Sequence, residues 1–308
     1  MRFNKVAIAA AAATAVNAQD RPKDVSICDY YTKALLKNNT AENQATLLTL
    51  VVNTVVIGNY TEPNVGIKVP GILAPGKVDG EDVNLMPYFT GEMASTNRGG
   101  KTGVKVNFLD DGGAEPLKKN KPANGEDSEQ YFLLTHLYQF FGALLGCTEQ
   151  GMPGFDAYAA NPSMYEVHKF MNLNNAEMTY FITQVGMAAA SFGVADSDVK
   201  AVGEALMSTF NMRCSPAAEV IPGQGPQLQA ICTDEDSCKL AKDADCDAYM
   251  HDSPGNNATT TMPGPTSTPS PTDPSQTEEP TSVPTDAGAV AHGLSFAAVA
   301  AGVAAFVL

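Results

Sequence analysis

Residues 161–173, NPSMYEVHKFMNL, decide how the rest of the chain is read. Asn161 suits a helix cap and Pro162 a first helical position, where its missing N–H costs nothing, so a helix is expected to start here. Met164, Val167, His168 and Met171 then fall at i, i+3, i+4 and i+7, a single apolar stripe facing a core or a pocket. His168 lies on that stripe, where a buried ligand would lie.

Two longer helices are expected directly behind it. Asn174 with Glu177 is a capping-box pattern, and Met178, Phe181, Ile182, Val185, Ala189 and Phe192 keep the helical period until Gly193 stops it. Asp196 is the expected cap of the next helix, whose buried face is Val199, Val202, Leu206 and Phe210. Working upstream, a helix beginning near Asp127 or Ser128 and closing at Gly146 carries a broad apolar face of Leu133, Leu134, Leu137, Phe140, Phe141 and Leu144. The run from about Thr40 to Ile57, with Leu47, Leu48, Val51, Val52, Val55 and Val56 inward, is read as helix on its length and stops at Gly58. Residues 26–36 supply a first helix, with Ser26 as cap and Asp29 in its first turn. Between these lie two stretches punctuated by Gly, Pro, Asn and Asp, roughly 60–83 and 92–126.

At this level a resemblance emerges. The run from Val167 to Leu173, followed by Asn175-Ala176-Glu177-Met178 and Phe192-Gly193-Val194, is similar to the proximal-histidine helix and the two closing helices of truncated haemoglobins. Phe140-Phe141-Gly142-Ala143-Leu144-Leu145-Gly146 resembles the end of that family's distal helix, although the family's run normally closes on Gly-Gly. Leu85-Met86-Pro87-Tyr88-Phe89-Thr90-Gly91 resembles its aromatic-Phe-small-Gly segment, which packs on the haem. The match is close from about 131 to 212, patchy from 26 to 91 and absent after 214.

The resemblance implies an all-α, truncated-globin-like helical sandwich over residues 26–214, with the two irregular stretches as loop insertions. It implies haem b, with His168 ligating the iron and Tyr88, Phe89, Leu133, His136, Leu137, Phe140, Phe141, Val167 and Met171 lining the pocket. A lone histidine on an apolar stripe is more often a satisfied core residue; three family-like segments in the right order reverse that balance. A neutral imidazole is a good axial ligand, provided its other ring nitrogen finds an acceptor, often a backbone carbonyl. Where the family commonly holds bound oxygen with Tyr and with Gln or Trp, this chain has Val52, Leu133 and Leu137, all apolar. Bound oxygen is therefore expected to be held poorly, unless His136 swings in. The competing reading of His136 is a surface residue at the edge of an amphipathic helix.

Composition excludes other classes. A formal charge of −15 and a pI near 4.6 leave no basic stripe for nucleic acid. The one local basic cluster, Lys118, Lys119 and Lys121, reads as a solvated loop. Neither a G-x-S-x-G nucleophile elbow nor a phosphate-binding glycine loop is present, and nothing in the spacing of the 34 acidic residues singles out a catalytic pair. Cys28, Cys147, Cys214, Cys232, Cys238 and Cys246 lack the C-x-x-C or H-x-x-x-H spacing of a zinc site and suit disulfides, with about 15 pairings open.

The ends read as targeting segments. Residues 1–18 resemble a secretory signal, with a small-residue site at Val16-Asn17-Ala18. Residues 215–250 form a Cys-containing extension, and 251–287 a disordered, extended Thr/Pro/Ser-rich stalk. The apolar tail at 288–308 is short for a span and suits replacement by a lipid anchor, with Ser282 and Asp286-Ala287-Gly288 as attachment candidates. Asn38, Asn59 and Asn257 head glycosylation acceptor sequences. The expectation is thus a cell-surface haem-binding protein, GPI-anchored, that takes a diatomic gas or captures haem itself. Nitric-oxide or peroxide turnover is compatible with it, but not required. The alternative is a haem-free structural or adhesive glycoprotein.

Overall fold

In a computed structural model of the protein, residues 21–61, 65–98 and 100–250 are described. The signal, stalk and anchor readings, with the acceptor at Asn257, lie outside the described residues. The elements in order are α1 (Ile27–Leu36), α2 (Ala41–Ile57), β1 (Gly76–Val78), β2 (Glu81–Val83), α3 (Met86–Thr90), α4 (Ala114–Leu117), α5 (Glu129–Leu145), α6 (Met164–His168), α7 (Asn175–Ser191), α8 (Asp196–Phe210) and α9 (Asp247–Met250).

The long helices begin where their caps dictate. Ser26, Thr40, Ser128 and Asn174 each accept a backbone N–H three residues on, at 3.1, 3.3, 3.0 and 2.8 Å. Glu177 completes the capping box by accepting Asn174 N–H at 2.9 Å. Helix α2 stops at Gly58, whose φ of +80° puts it in a region glycine tolerates, and a Cβ there would lie 2.6 Å from the carbonyl oxygens of Val69 and Pro70. The 60–83 stretch returns along that helix end, Ile72 and Leu73 donating to the carbonyls of Val55 and Val56.

Helices α2 and α5 pack together, as do α7 and α8, and the two pairs meet where α2 packs on α7. Helix α1 covers α2 and α5. The core between them includes Leu48, Val52, Val56, Leu134, Val185, Ala188, Leu206 and Phe210, all buried. Removing a side chain of Leu or Phe size from water contributes about 1.5–3 kcal/mol. The six cysteines form three disulfides, Cys28–Cys147, Cys214–Cys246 and Cys232–Cys238.

Several expectations need correction. The fold is largely helical rather than all-α, since β1 and β2 form an antiparallel hairpin, with Gly76 opposite Val83, that packs on α7. Helix α6 is capped by Ser163, whose Oγ accepts Glu166 N–H at 3.2 Å, and not by Asn161, whose Oδ1 accepts Ser163 N–H outside the helix. It ends at His168, so Met171 lies in the following turn, bonded to the His168 carbonyl at 2.8 Å. Asp196 is the first residue of α8 rather than its cap, which is Ala195 without a side-chain bond.

The 92–126 stretch is held by buried amides. Asn53 donates to Leu117 O at 3.1 Å, and Gln130 bonds the backbone of Gly113 twice and Pro122 once, each at 2.9 Å. Residues 215–250 pack on the helices: Ile231 and Cys232 both donate to Phe210 O, and Thr233 to Leu173 O. Of the two acceptor asparagines described, Asn38 is exposed, whereas Asn59 is half-buried with its Oδ1 taking Val69 N–H at 2.6 Å.

Candidate functional site

Helix α6 is one turn long, and its last residue is His168. The His168 ring turns back along its own helix, Nδ1 lying 2.8 Å from Met164 O. A carbonyl can only accept, so Nδ1 carries the proton and Nε2 keeps its lone pair. No described residue hydrogen-bonds Nε2. Burial holds the imidazole pKa below its ordinary 6.5, against a smaller opposing pull from the Met164 carbonyl. The residue nonetheless keeps accessible surface, being half-buried. His168 is thus a neutral imidazole with a free lone pair in a deep but open position.

A strap from the 92–126 stretch joins α6 to α5. Thr96 and Val104 pair in an isolated bridge; Asn97 donates to Glu166 O at 2.7 Å, and a Cβ on Gly103 would fall 2.7 Å from Phe170 Cβ. On the other side Arg98 makes a two-pronged ion pair with Glu129, in the first turn of α5, and lies 4.9 Å from the Phe132 ring centroid. Beside His168, Lys169 pairs with Glu166 at 2.9 Å and lies over the rings of Phe170 and Tyr165 at 5.4 and 5.9 Å.

Of the other sequence candidates, Phe89, Leu133, Leu137, Val167 and Met171 are half-buried, each packed on the core with surface to spare. Tyr88 is buried, its hydroxyl donating to Glu177 Oε1 at 3.2 Å and lying 3.4 Å from Met171 O. That contact joins α3 to the turn after His168. Burial, reinforced by the Glu177 carboxylate, pushes the Tyr88 pKa up. Phe140 and Phe141 belong to the core, with Phe140 5.6 Å from Tyr158 and 6.2 Å from Phe210 between ring centroids.

His136 sits at the edge of α5, its Nδ1 2.5 Å from Phe132 O and its ring 4.1 Å from that of Phe132, which is 47% exposed. Tyr158 flanks His136 at 6.2 Å, its own phenol pushed up to about 12 by burial. Val52 is buried.

Two open clefts lie elsewhere. One of about 470 Å³ runs between the hairpin and α7, lined by residues including Pro70, Pro75, Lys77, Asp79, Tyr180 and Gln184. The other, about 210 Å³, is lined by residues including Ser208, Ser215, Pro216, Lys242 and Asp243. Neither includes a residue singled out from the sequence. Among the described residues no three His, Cys, Asp or Glu side chains group as a metal cluster, an arrangement that single-histidine ligation of haem does not need. Among them, too, no helix is long and apolar enough to cross a membrane.

Sequence reasoning missed the polar groups that organise this interior. Tyr138 donates to Asn53 Oδ1 at 2.6 Å between α5 and α2, and Asp198 accepts from Tyr31 at 2.8 Å and from Arg21 at 3.0 and 3.1 Å. Gln229 bonds Met164 N at 3.1 Å. Their partners are 85, 167, 177 and 65 residues away, so no local pattern marks them. A scan against protein-family models, and searches of curated proteins and of solved structures, give no match for this chain.

Proposed function

We propose that residues 26–214 form a haem-binding domain of truncated-globin type, in which His168 Nε2 is the iron ligand. The observation that carries this reading is the state of His168: Nδ1 tied to the Met164 carbonyl at 2.8 Å, Nε2 free, on a half-buried helix end. That leaves one basic nitrogen presented and the tautomer decided before any metal arrives. The half-buried apolar side chains of Phe89, Leu133, Leu137, Val167 and Met171 are suited to enclosing a porphyrin and excluding water. The pairing of α2 with α5 and of α7 with α8 supports the same architecture.

Haem held by His168 would supply an iron able to coordinate a diatomic gas or to react with nitric oxide or peroxide. By the resemblance the places that would face a bound gas are Val52, Leu133 and Leu137, all apolar, and His136 Nδ1 is engaged with Phe132 O. Val52, Leu133 and Leu137 offer no donor to a polar bound ligand, so weak oxygen retention is expected, a good hydrogen bond being a contribution of about 1 kcal/mol or more. Three disulfides are compatible with an extracellular protein, and a lipid-anchored place at the cell surface accords with the sequence of the two ends.

The test is the absorption spectrum of the secreted protein, purified and titrated with hemin. A Soret band in the parent that His168→Ala abolishes is the expected result. A parent protein that stays colourless overturns the proposal and favours the structural glycoprotein. A slow oxygen off-rate that survives His136→Ala refutes the apolar distal side. Turnover with nitric oxide or peroxide distinguishes a reactive site from a carrier.

A further inference from the structure

We propose that Gln229 is a positioning residue for His168, and that residues 214–249 clamp the start of α6 so that the imidazole is held in one orientation. The proposal deepens the haem reading and rests on it for its function, though the clamp itself can be tested without haem. Helix α6 has 5 residues, too few to be stable alone, so its place must be set by what it bonds to.

What it bonds to lies 65 residues further on. Leu228 O accepts both Ser163 Oγ at 2.6 Å and Tyr165 N–H at 3.2 Å. Between them Gln229 Oε1 accepts Met164 N–H at 3.1 Å, while its Nε2 donates to Pro162 O at 3.0 Å and to Ala218 O at 3.2 Å. Met164 is the first residue of the helix, so its N–H has no partner within it. Gln229 is 1% exposed and uses both ends of its carboxamide, which neither an acid nor an apolar residue would reproduce in full.

Met164 is also the residue whose carbonyl takes the His168 proton. One residue therefore carries both bonds, from Gln229 to its N–H and from its C=O to Nδ1–H. Holding Met164 still fixes the ring orientation and the basicity of Nε2, which is what an outer partner of a metal-binding histidine does. A second anchor comes from Tyr165, whose hydroxyl donates to Tyr249 O at 3.0 Å, with the two rings 4.7 Å apart. Tyr249 is itself pinned to Ser215 O at 2.7 Å beside the Cys214–Cys246 disulfide.

The experiment compares the full secreted protein with Gln229→Met and Gln229→Glu in two states. Without haem, long-range nitrogen–proton NMR of the His168 ring reads the tautomer. Gln229→Met is expected to replace the single Nδ1–H pattern by a mixture, and Gln229→Glu to do the same, because it sets an acceptor-only carboxylate oxygen against the Pro162 and Ala218 carbonyls in a buried site. With haem, the ferrous iron–imidazole stretch in resonance Raman is expected to fall in Gln229→Met, with haem loss faster by roughly 10-fold or more. Should Gln229→Met not fold, Tyr165→Phe removes only the second anchor and is expected to give a smaller change of the same kind. Unchanged ring signals in a folded variant overturn the proposal, whatever the spectrum with haem. A colourless parent whose ring signals still change in Gln229→Met keeps the clamp and removes the haem reading.

Discussion

Removing the Cys28–Cys147 bridge by Cys28→Ala with Cys147→Ala should be the most costly of the three disulfide deletions. The bridge closes a separation of 119 residues, against 32 for Cys214–Cys246 and 6 for Cys232–Cys238. Loop-closure entropy in the unfolded chain grows with the logarithm of that length, which gives about 5, 4 and 2 kcal/mol in that order. The folded state should change little at the first site. Asp29 accepts Thr148 N–H at 3.1 Å, Thr148 Oγ1 at 2.8 Å and Gln44 Nε2 at 2.8 Å, and Glu149 N donates to Gln44 Oε1 at 3.0 Å. The chain is therefore still tied at that junction, and the loss falls mainly on the unfolded ensemble. With a total stability of about 5–15 kcal/mol for a domain, such a loss removes a third of it or more. Urea unfolding followed by far-ultraviolet circular dichroism at constant pH measures it. A larger loss from Cys232→Ala with Cys238→Ala would refute the loop-entropy account and show that native packing around the sulfurs dominates.

Two further predictions concern the interior. Because burial depresses the His168 pKa in the folded state, its contribution to stability is complete above the unfolded value of about 6.5 and is lost as pH falls toward the folded value. Haem-free protein should thus weaken between pH 7.5 and 5 by more than its His168→Gln variant; an NMR-measured imidazole pKa at or above 6.5 contradicts this. Tyr138→Phe should cost about 1–3 kcal/mol, because it leaves Asn53 Oδ1 without its 2.6 Å donor inside the core. A urea midpoint equal to the parent's would mean that the oxygen finds another partner.

The long helices were legible because their signals are local. Ser26, Thr40, Ser128 and Asn174 cap where a short side chain three residues before a free amide must cap, and Gly58 and Gly146 stop helices at positive φ. Leu134, Phe141, Ile182, Val185, Leu206 and Phe210 are buried as the helical period requires. The start of α6 was misplaced because Asn161, Pro162 and Ser163 are all good starting residues; Leu228 and Gln229, which bond 163–165, settle the choice. The hairpin was hidden because each of its strands has three residues, too short for an alternating pattern to stand out.

By itself, then, the sequence determined the capped starts of α1, α2, α5 and α7, the glycine stops of α2 and α5, the apolar faces and the acidic character. Only the tertiary structure decided which cysteines join, that the Met164 carbonyl locks the His168 tautomer, that a strap through Asn97 and Arg98 ties α6 to α5, and that Gln229 seats the histidine helix. The division has one physical cause. Caps and periodicity act within a few residues of chain, whereas disulfide choice and the pairing of buried amides depend on which distant groups the packed helices bring within 3 Å or so of one another.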